Sequence, residues 1–151
     1  MPDNDLALTT TEDSPPISPA KPIDAIWSYH AHIYFDGPEQ ARIAATLREE
    51  IAQRFPVVIG RWWDQLIGPH ARPMYQVAFP PVEFPRIVPW LMINRRGLAI
   101  LIHPNTGEPK PDHLTNAMWL GEILDVHSGP LPDHEEREPD LVPNTQPTVN
   151  P

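Results

Sequence analysis

His30 and His32 stand two residues apart in the run Tyr29-His30-Ala31-His32-Ile33-Tyr34-Phe35, the spacing that places two imidazoles on one side of an extended strand. Two imidazoles within reach of each other suit a metal ion better than an apolar core. His70, after Gly68-Pro69, His103, before Pro104-Asn105-Thr106-Gly107, and His113, after Pro111-Asp112, extend the set. Imidazole nitrogen suits Fe, Zn, Cu and Ni, and a three-ligand site with open positions serves non-haem Fe(II) and catalytic zinc alike. Spacing does not choose among these metals. A carboxylate ligand could come from Asp36, Asp64, Glu108 or Asp112, between which the sequence does not discriminate. The chain has no cysteine, which excludes a disulfide framework, a thiolate ligand and a thiol nucleophile.

Each histidine also has a plainer reading. His-x-His on a strand is a weak motif, His103 can simply open the turn that Pro-Asn-Thr-Gly favours, and His70 and His113 sit in loop-like sequence. His127 and His134 border or occupy a polar flank and read as solvated. Trp62, Trp63, Trp90 and Trp119 read first as core or interface aromatics, although a substrate ring would stack on one of them.

The elements that must hold these residues follow from periodicity. Residues 25–35 alternate as a strand, with Trp27, Tyr29, Ala31, Ile33 and Phe35 on one face and Ser28, His30, His32 and Tyr34 on the other. Asp36-Gly37-Pro38 opens a helix over 38–54, where Ala44, Leu47, Ile51 and Phe55 form an apolar stripe. Strands follow at 57–62 and 73–79. A second helix starts near Phe84, with Pro85 and Pro89 in or beside its first turn and Gly97 closing it. Residues 98–103 form a fourth strand. The order β-α-β-β-α-β predicts an α+β, ferredoxin-like fold: a four-stranded antiparallel sheet, two helices on one face, the other face open. In the strand order expected for it, the first and third strands run parallel in the centre and the fourth lies antiparallel beside the first. His30, His70 and His103 then converge at one edge. The face bearing His30, His32 and Tyr34 needs a cover, from segment 104–121 or from a second subunit.

Charge and proline set the boundaries. The 22 prolines and the net charge of −9 concentrate in two flanks, which predicts disordered acidic tails at 1–22 and 127–151 around one domain at 23–126. An acidic chain without a basic stripe argues against nucleic acid or an anionic membrane as partner. The first residues lack the positive charge of a signal peptide, and no run has transmembrane length, so a cytoplasmic protein is expected.

The blocks YHAHIYF (29–35), FPVVIGRWWDQLIGPH (55–70), MYQVAF (74–79), VPWLMINRRGL (88–98), and HPNTG with DH and MWLG (103–121) resemble, in order, the DOPA 4,5-dioxygenase family of aromatic ring-cleaving enzymes. The resemblance implies extradiol cleavage of a catechol such as DOPA by O₂ at a mononuclear Fe(II) in a small ferredoxin-like domain, often a homodimer. It maps the family's histidines onto His30, His32, His70, His103 and His113. We allocate the first four to the metal shell and His113 to acid/base catalysis, a role suited to a group titrating near neutrality. Tyr34, Arg61 and Trp63 are assigned to substrate binding, with Arg72 and Arg95 as further partners for a substrate carboxylate. Two departures stand out: family members tend to carry His at the position of Trp63, and another near Asn116. Tryptophan can neither ligate a metal nor act as a base. Two competing readings use the same residues, a zinc-dependent hydrolase or lyase and a non-catalytic dimeric module that binds a small molecule.

Overall fold

The computed structural model describes residues 13–151; positions 1–12 of the expected N-terminal tail lie outside the described residues. After a 3-10 turn at Ile23–Ala25 come β1 (Ser28–Tyr34), α1 (Gly37–Arg54), β2 (Val58–Ile59), β3 (Met74–Phe79), a second 3-10 turn (Pro81–Glu83), α2 (Phe84–Asn94), β4 (Ile100–Asn105), α3 (Pro109–His113) and β5 (Met118–Leu120). The protein is α+β, with one five-stranded sheet in the order β2-β3-β1-β4-β5 and every neighbouring pair antiparallel.

Three expectations need correction. The sheet has five strands and not four, because the three residues of β5 pair with Ile100–Ile102; so short a run is invisible to a period-two search. β1 and β3 are antiparallel, not parallel. The α1 crossover brings β2 back in the direction of β1, and β3 fills the gap between them, running against both. The third correction follows from the second. β3 begins at Met74, opposite Tyr34, so the loop leading into it enters from the far end of β1 and not from the edge where His30 faces His103, although its His70 still reaches the ring of His32.

The sheet's two faces differ in kind. On one, Ala31, Ile33 and Phe35 of β1, Tyr75, Val77 and Phe79 of β3, and Ile100 and Ile102 of β4 pack against Ala44, Leu47 and Ile51 of α1 and Ile87, Val88 and Leu91 of α2. Burying each of these larger aliphatic side chains stabilises the fold by about 1.5–3 kcal/mol. Both helices lie here, as the apolar stripes predict. Pro89 falls inside α2 and not in its first turn, so one backbone hydrogen bond, to Pro85, is forgone there. On the other face, Tyr34, Met74, Ala99 and Leu101 meet Trp63, Ile67, Ala117, Trp119, Leu124 and Val126. This face is therefore not open; the 63–70 loop and the chain after α3 cover it.

No helix or strand follows β5, yet the last segment is tied down. The Asn144 carboxamide accepts from the Ile59 N–H and donates to the Ile59 carbonyl, both at 2.9 Å, and Thr145 Oγ1 donates to the Phe55 carbonyl at 2.6 Å. Asn144 thus imitates a neighbouring strand and satisfies the edge that β2 would otherwise present. Among the described residues no helix is long and apolar enough to cross a membrane.

Candidate metal centre

His30 and His103 are direct partners across the β1/β4 pair, and His32 follows two residues along β1 on the same side. One ring nitrogen from each of the three lies within 4.8 Å of the others. The His32 and His103 Nε2 atoms are 3.0 Å apart. His103 Nδ1 lies 2.9 Å from the Pro104 carbonyl, which can only accept, so His103 carries its proton on Nδ1 and leaves Nε2 as a lone pair. A carbonyl that fixes tautomer and ring orientation in this way is the usual outer partner of a metal-ligating histidine. The proton between the two Nε2 atoms then belongs to His32. That leaves His32 Nδ1 bare, buried and without a partner among the described residues, an orphan a ligand or ion nearby would relieve. His30 makes no side-chain hydrogen bond among the described residues. Three imidazole donors so placed fit a divalent transition ion.

Two further histidines close around this group. His70, in the loop before β3, packs its ring 4.2 Å from that of His32. Its Nδ1 is 2.7 Å from the Tyr34 hydroxyl, whose proton has no other acceptor there, so Tyr34 donates and His70 carries its hydrogen on Nε2. His70 is thus engaged as a hydrogen-bonding group and stands outside the three-nitrogen cluster. His113, at the end of α3, places its ring 3.9 Å from His103. It donates from Nδ1 to the Pro109 carbonyl at 2.7 Å, which leaves Nε2 unprotonated. The turn carrying α3 is fixed by Asp112, buried, which accepts from both the N–H and the hydroxyl of Thr106 at 2.8 and 2.7 Å.

Burial governs the protonation of all five. Desolvation, then the nearby His113 and His70, pushes His30 down to about 4. His70 is likewise lowered to about 4, by desolvation and then His113. His32 and His103 are held well below the usual imidazole value, again mainly by desolvation. His113 is lowered by desolvation, opposed by the Pro109 carbonyl, Asp112 and Glu135. Burial raises the Tyr34 hydroxyl, which stays protonated. At neutral pH the cluster is a set of neutral nitrogen donors, the form that binds metal.

The other sequence-predicted residues are placed elsewhere. Arg61 stacks at 4.3 Å over Trp63 and shares a hollow with Trp62, Asp64 and Gln65 that holds no histidine. Trp63 joins the Tyr34 cluster through its ring and pairs with Met74 through its backbone. Arg72 pairs with Glu122, and Arg95 donates to the Leu98 carbonyl. Of the four carboxylates considered as ligands, Asp36 precedes α1, Asp64 accepts from the Trp62 indole, Glu108 lies 4.0 Å from Lys21, and Asp112 is committed to Thr106. None joins the three-histidine group. The residues that sequence reasoning missed are Glu135, Glu136 and Glu138, which line a small cavity together with His30; a Pro-rich, acidic run carries no periodicity that would bring it to the site.

The profile of the Dopa 4,5-dioxygenase family matches residues 29–129, a span that holds all five clustered histidines. An uncharacterized 21.2 kDa protein of Botryotinia fuckeliana is 41% identical over 108 residues, covering 64% of this chain and 59% of the relative. The DOPA 4,5-dioxygenase of Amanita muscaria is 28% identical over 127 residues, 79% of this chain and 56% of the enzyme. The chain thus spans under three fifths of the length of these two curated relatives. A crystal structure from Nostoc punctiforme, described as that of a candidate dioxygenase, superposes with a TM-score of 0.69 at 48% identity, covering 71% of this chain and 92% of that one. The profile match spans most of the folded region and takes in the whole histidine cluster, so this chain belongs to the Dopa 4,5-dioxygenase family.

Proposed function

We propose that the protein is an extradiol ring-cleaving dioxygenase that holds Fe(II) on His30, His32 and His103 and acts on a catechol. The observation that carries this is the pairing of His32 and His103 through their Nε2 atoms at 3.0 Å, with a His30 nitrogen within 4.8 Å of both, in a family of dioxygenases. Read in this light, the β2-β3-β1-β4 portion is the ferredoxin-like sheet, with β5 added at its edge.

When bound there, Fe(II) would supply Lewis acidity and a common meeting point for catechol and O₂. The chain supplies the rest. His113 Nε2, left bare by the Nδ1–H bond to Pro109, takes a proton from a catechol hydroxyl, and Asp112 and Glu135 favour the imidazolium that results. The Tyr34 hydroxyl holds His70 so that its Nε2–H is available as a donor beside His32. Cover from the 63–70 loop and the post-α3 chain keeps water away from these exchanges.

The test is anaerobic reconstitution with Fe(II), then admission of air with DOPA or catechol while absorbance and oxygen uptake are recorded. A coloured ring-cleavage product formed with one O₂ per ring, and lost in His30→Ala, supports the proposal. An iron-loaded, folded protein that consumes no O₂ across a catechol panel would sink it. A carboxylate-free set of three histidines also matches a catalytic zinc site, so a hydrolase or lyase is the second reading. Metal analysis of protein purified without added metal separates the two.

A further inference from the structure

The segment Glu135-Glu136-Arg137-Glu138 lies against the metal centre. Glu135, Glu136 and Glu138 line one cavity with His30, Trp27 and Asn105. The segment is seated by particular bonds. The Glu135 N–H donates to the Gly107 carbonyl at 2.9 Å, and the chain on either side is pinned by His127 to Pro69 and by Asn144 to Val57. Gly107 has φ +90°, and a Cβ there would sit 2.8 Å from the Trp27 ring and 3.2 Å from the Glu135 carbonyl. Only glycine lets the segment approach this closely.

The carboxylates have no cation of their own. Among the described residues, no lysine or arginine lies within ion-pair distance of any of the three. Arg137, between them in sequence, pairs with Asp140 at 3.9 Å and lines a different hollow with Ile23 and Pro80. On the inner side, His30 has no hydrogen-bond partner among the described residues, and His32, 3% exposed, leaves Nδ1 unsatisfied. With His32 next along the same face of β1, the imidazole of His30 on the inner side and the unpaired negative charge at the rim thus share a space of about 30 Å³. That is roughly the share of one water molecule. An aromatic ring entering beside His30 would press this segment outward, and its side chain would then trail past the glutamates.

We propose that Glu135, Glu136 and Glu138 form an anionic gate that selects aromatic substrates whose side chain ends in an ammonium group and disfavours those ending in a carboxylate. The proposal rests on reading the histidine cluster as a catechol site. It replaces the arginine clamp expected from sequence, since Arg61, Arg72 and Arg95 all have other partners.

Two matched ligand pairs test it on the full chain. Dopamine and 3-(3,4-dihydroxyphenyl)propionate share a ring and a two-carbon spacer but differ in terminal charge; they are titrated calorimetrically into Fe(II)-loaded protein without O₂. Tyramine and 3-(4-hydroxyphenyl)propionate are titrated into metal-free protein. The amine of each pair is expected to bind about tenfold more tightly than the acid, the combined effect of several exposed charge contacts. That preference should shrink towards unity in 1 M salt, where screening acts within about 3 Å, and in the Glu135→Gln/Glu136→Gln/Glu138→Gln variant. Equal binding of amine and acid by the wild type, or a preference that survives in the triple variant, overturns the gate. If the preference behaves as expected but neither catechol is cleaved on admitting O₂, the gate stands and ring cleavage falls. If both are cleaved without preference, the gate falls alone.

Discussion

The two faces of the sheet are made from the same strands and obey different rules. Residue by residue, β1 sends Ala31 and Ile33 into the helix-covered core and His30 and His32 into the loop-covered face. The first face gains its stability from burying apolar side chains, although Arg48 Nε of α1 is left there without a partner among the described residues. The second buries three imidazoles and partly buries two more, leaves one of their nitrogens unpaired among the described residues and pushes every one of the five away from its charged form. Local strain of this kind persists where the rest of the structure can hold it. The helix face supplies the holding, so the two faces should respond to perturbation in opposite ways.

The largest effect is expected from breaking the helix face. Leu47, fully buried between α1 and the sheet, should cost about 2–5 kcal/mol when changed to Ala, by lost transfer energy and the cavity left behind. Denaturant unfolding measures this directly. Iron content per folded molecule should stay near wild type, and a loss of metal without loss of stability would break the division of labour between the faces.

Acid should attack the histidine face selectively. The five histidines titrate near 6.5 in the unfolded chain and lower in the folded one, to about 4 for His30 and His70. Between those values the unfolded state binds more protons, so stability rises with pH across the window. It is fully present above about 6.5 and is lost on acidification towards 4, with a slope of at most about 1.4 kcal/mol per pH unit for each histidine. Melting temperatures of metal-free protein at pH 7, 6 and 5 should fall in that order. A flat profile would mean that the imidazoles are open to solvent.

The same contrast explains what could be read from the sequence. The helix face was legible because Ala44, Leu47 and Ile51 repeat at helical spacing and the β1 residues alternate, and periodicity of this kind is enforced by burial along one element. His30, His32 and His103 were legible through strand direction and the run of family-like blocks. That His70 joins the group was expected too, and its ring does reach His32, but by another route: the strand direction assumed for β3 was wrong, and the loop comes in from the far end of β1. β5 and α3 span three and five residues, too short to show a period. The glutamates at the rim come from a segment held by backbone bonds at separated points, which leave no mark on side-chain pattern.

His30→Ala sharpens the comparison from the other side. His30 has no side-chain hydrogen bond to lose among the described residues, so its removal should shift stability little. Metal affinity should fall by more than about 100-fold, the upper range for losing an outer partner of a ligand. Isothermal titration with Fe(II) or Co(II), beside a melting curve, reads both quantities. An intact affinity would remove His30 from the metal shell.

Tyr34→Phe should give the smallest change, and it separates two roles for His70. The hydroxyl donates to His70 Nδ1 at 2.7 Å, and its loss leaves a buried acceptor unsatisfied, at a cost of about 1–3 kcal/mol. The ring itself stays held, stacked on Trp119 at 5.7 Å between centroids. If His70 ligates the metal, as the sequence led us to expect, releasing its ring should weaken metal binding along with turnover. If His70 acts only as an oriented donor, as its hydrogen bond and its place outside the three-nitrogen cluster indicate, metal affinity should hold while kcat drops several-fold. Metal titration and steady-state oxygen uptake on one preparation decide between them, because a ligand and a donor cannot both leave the affinity unchanged.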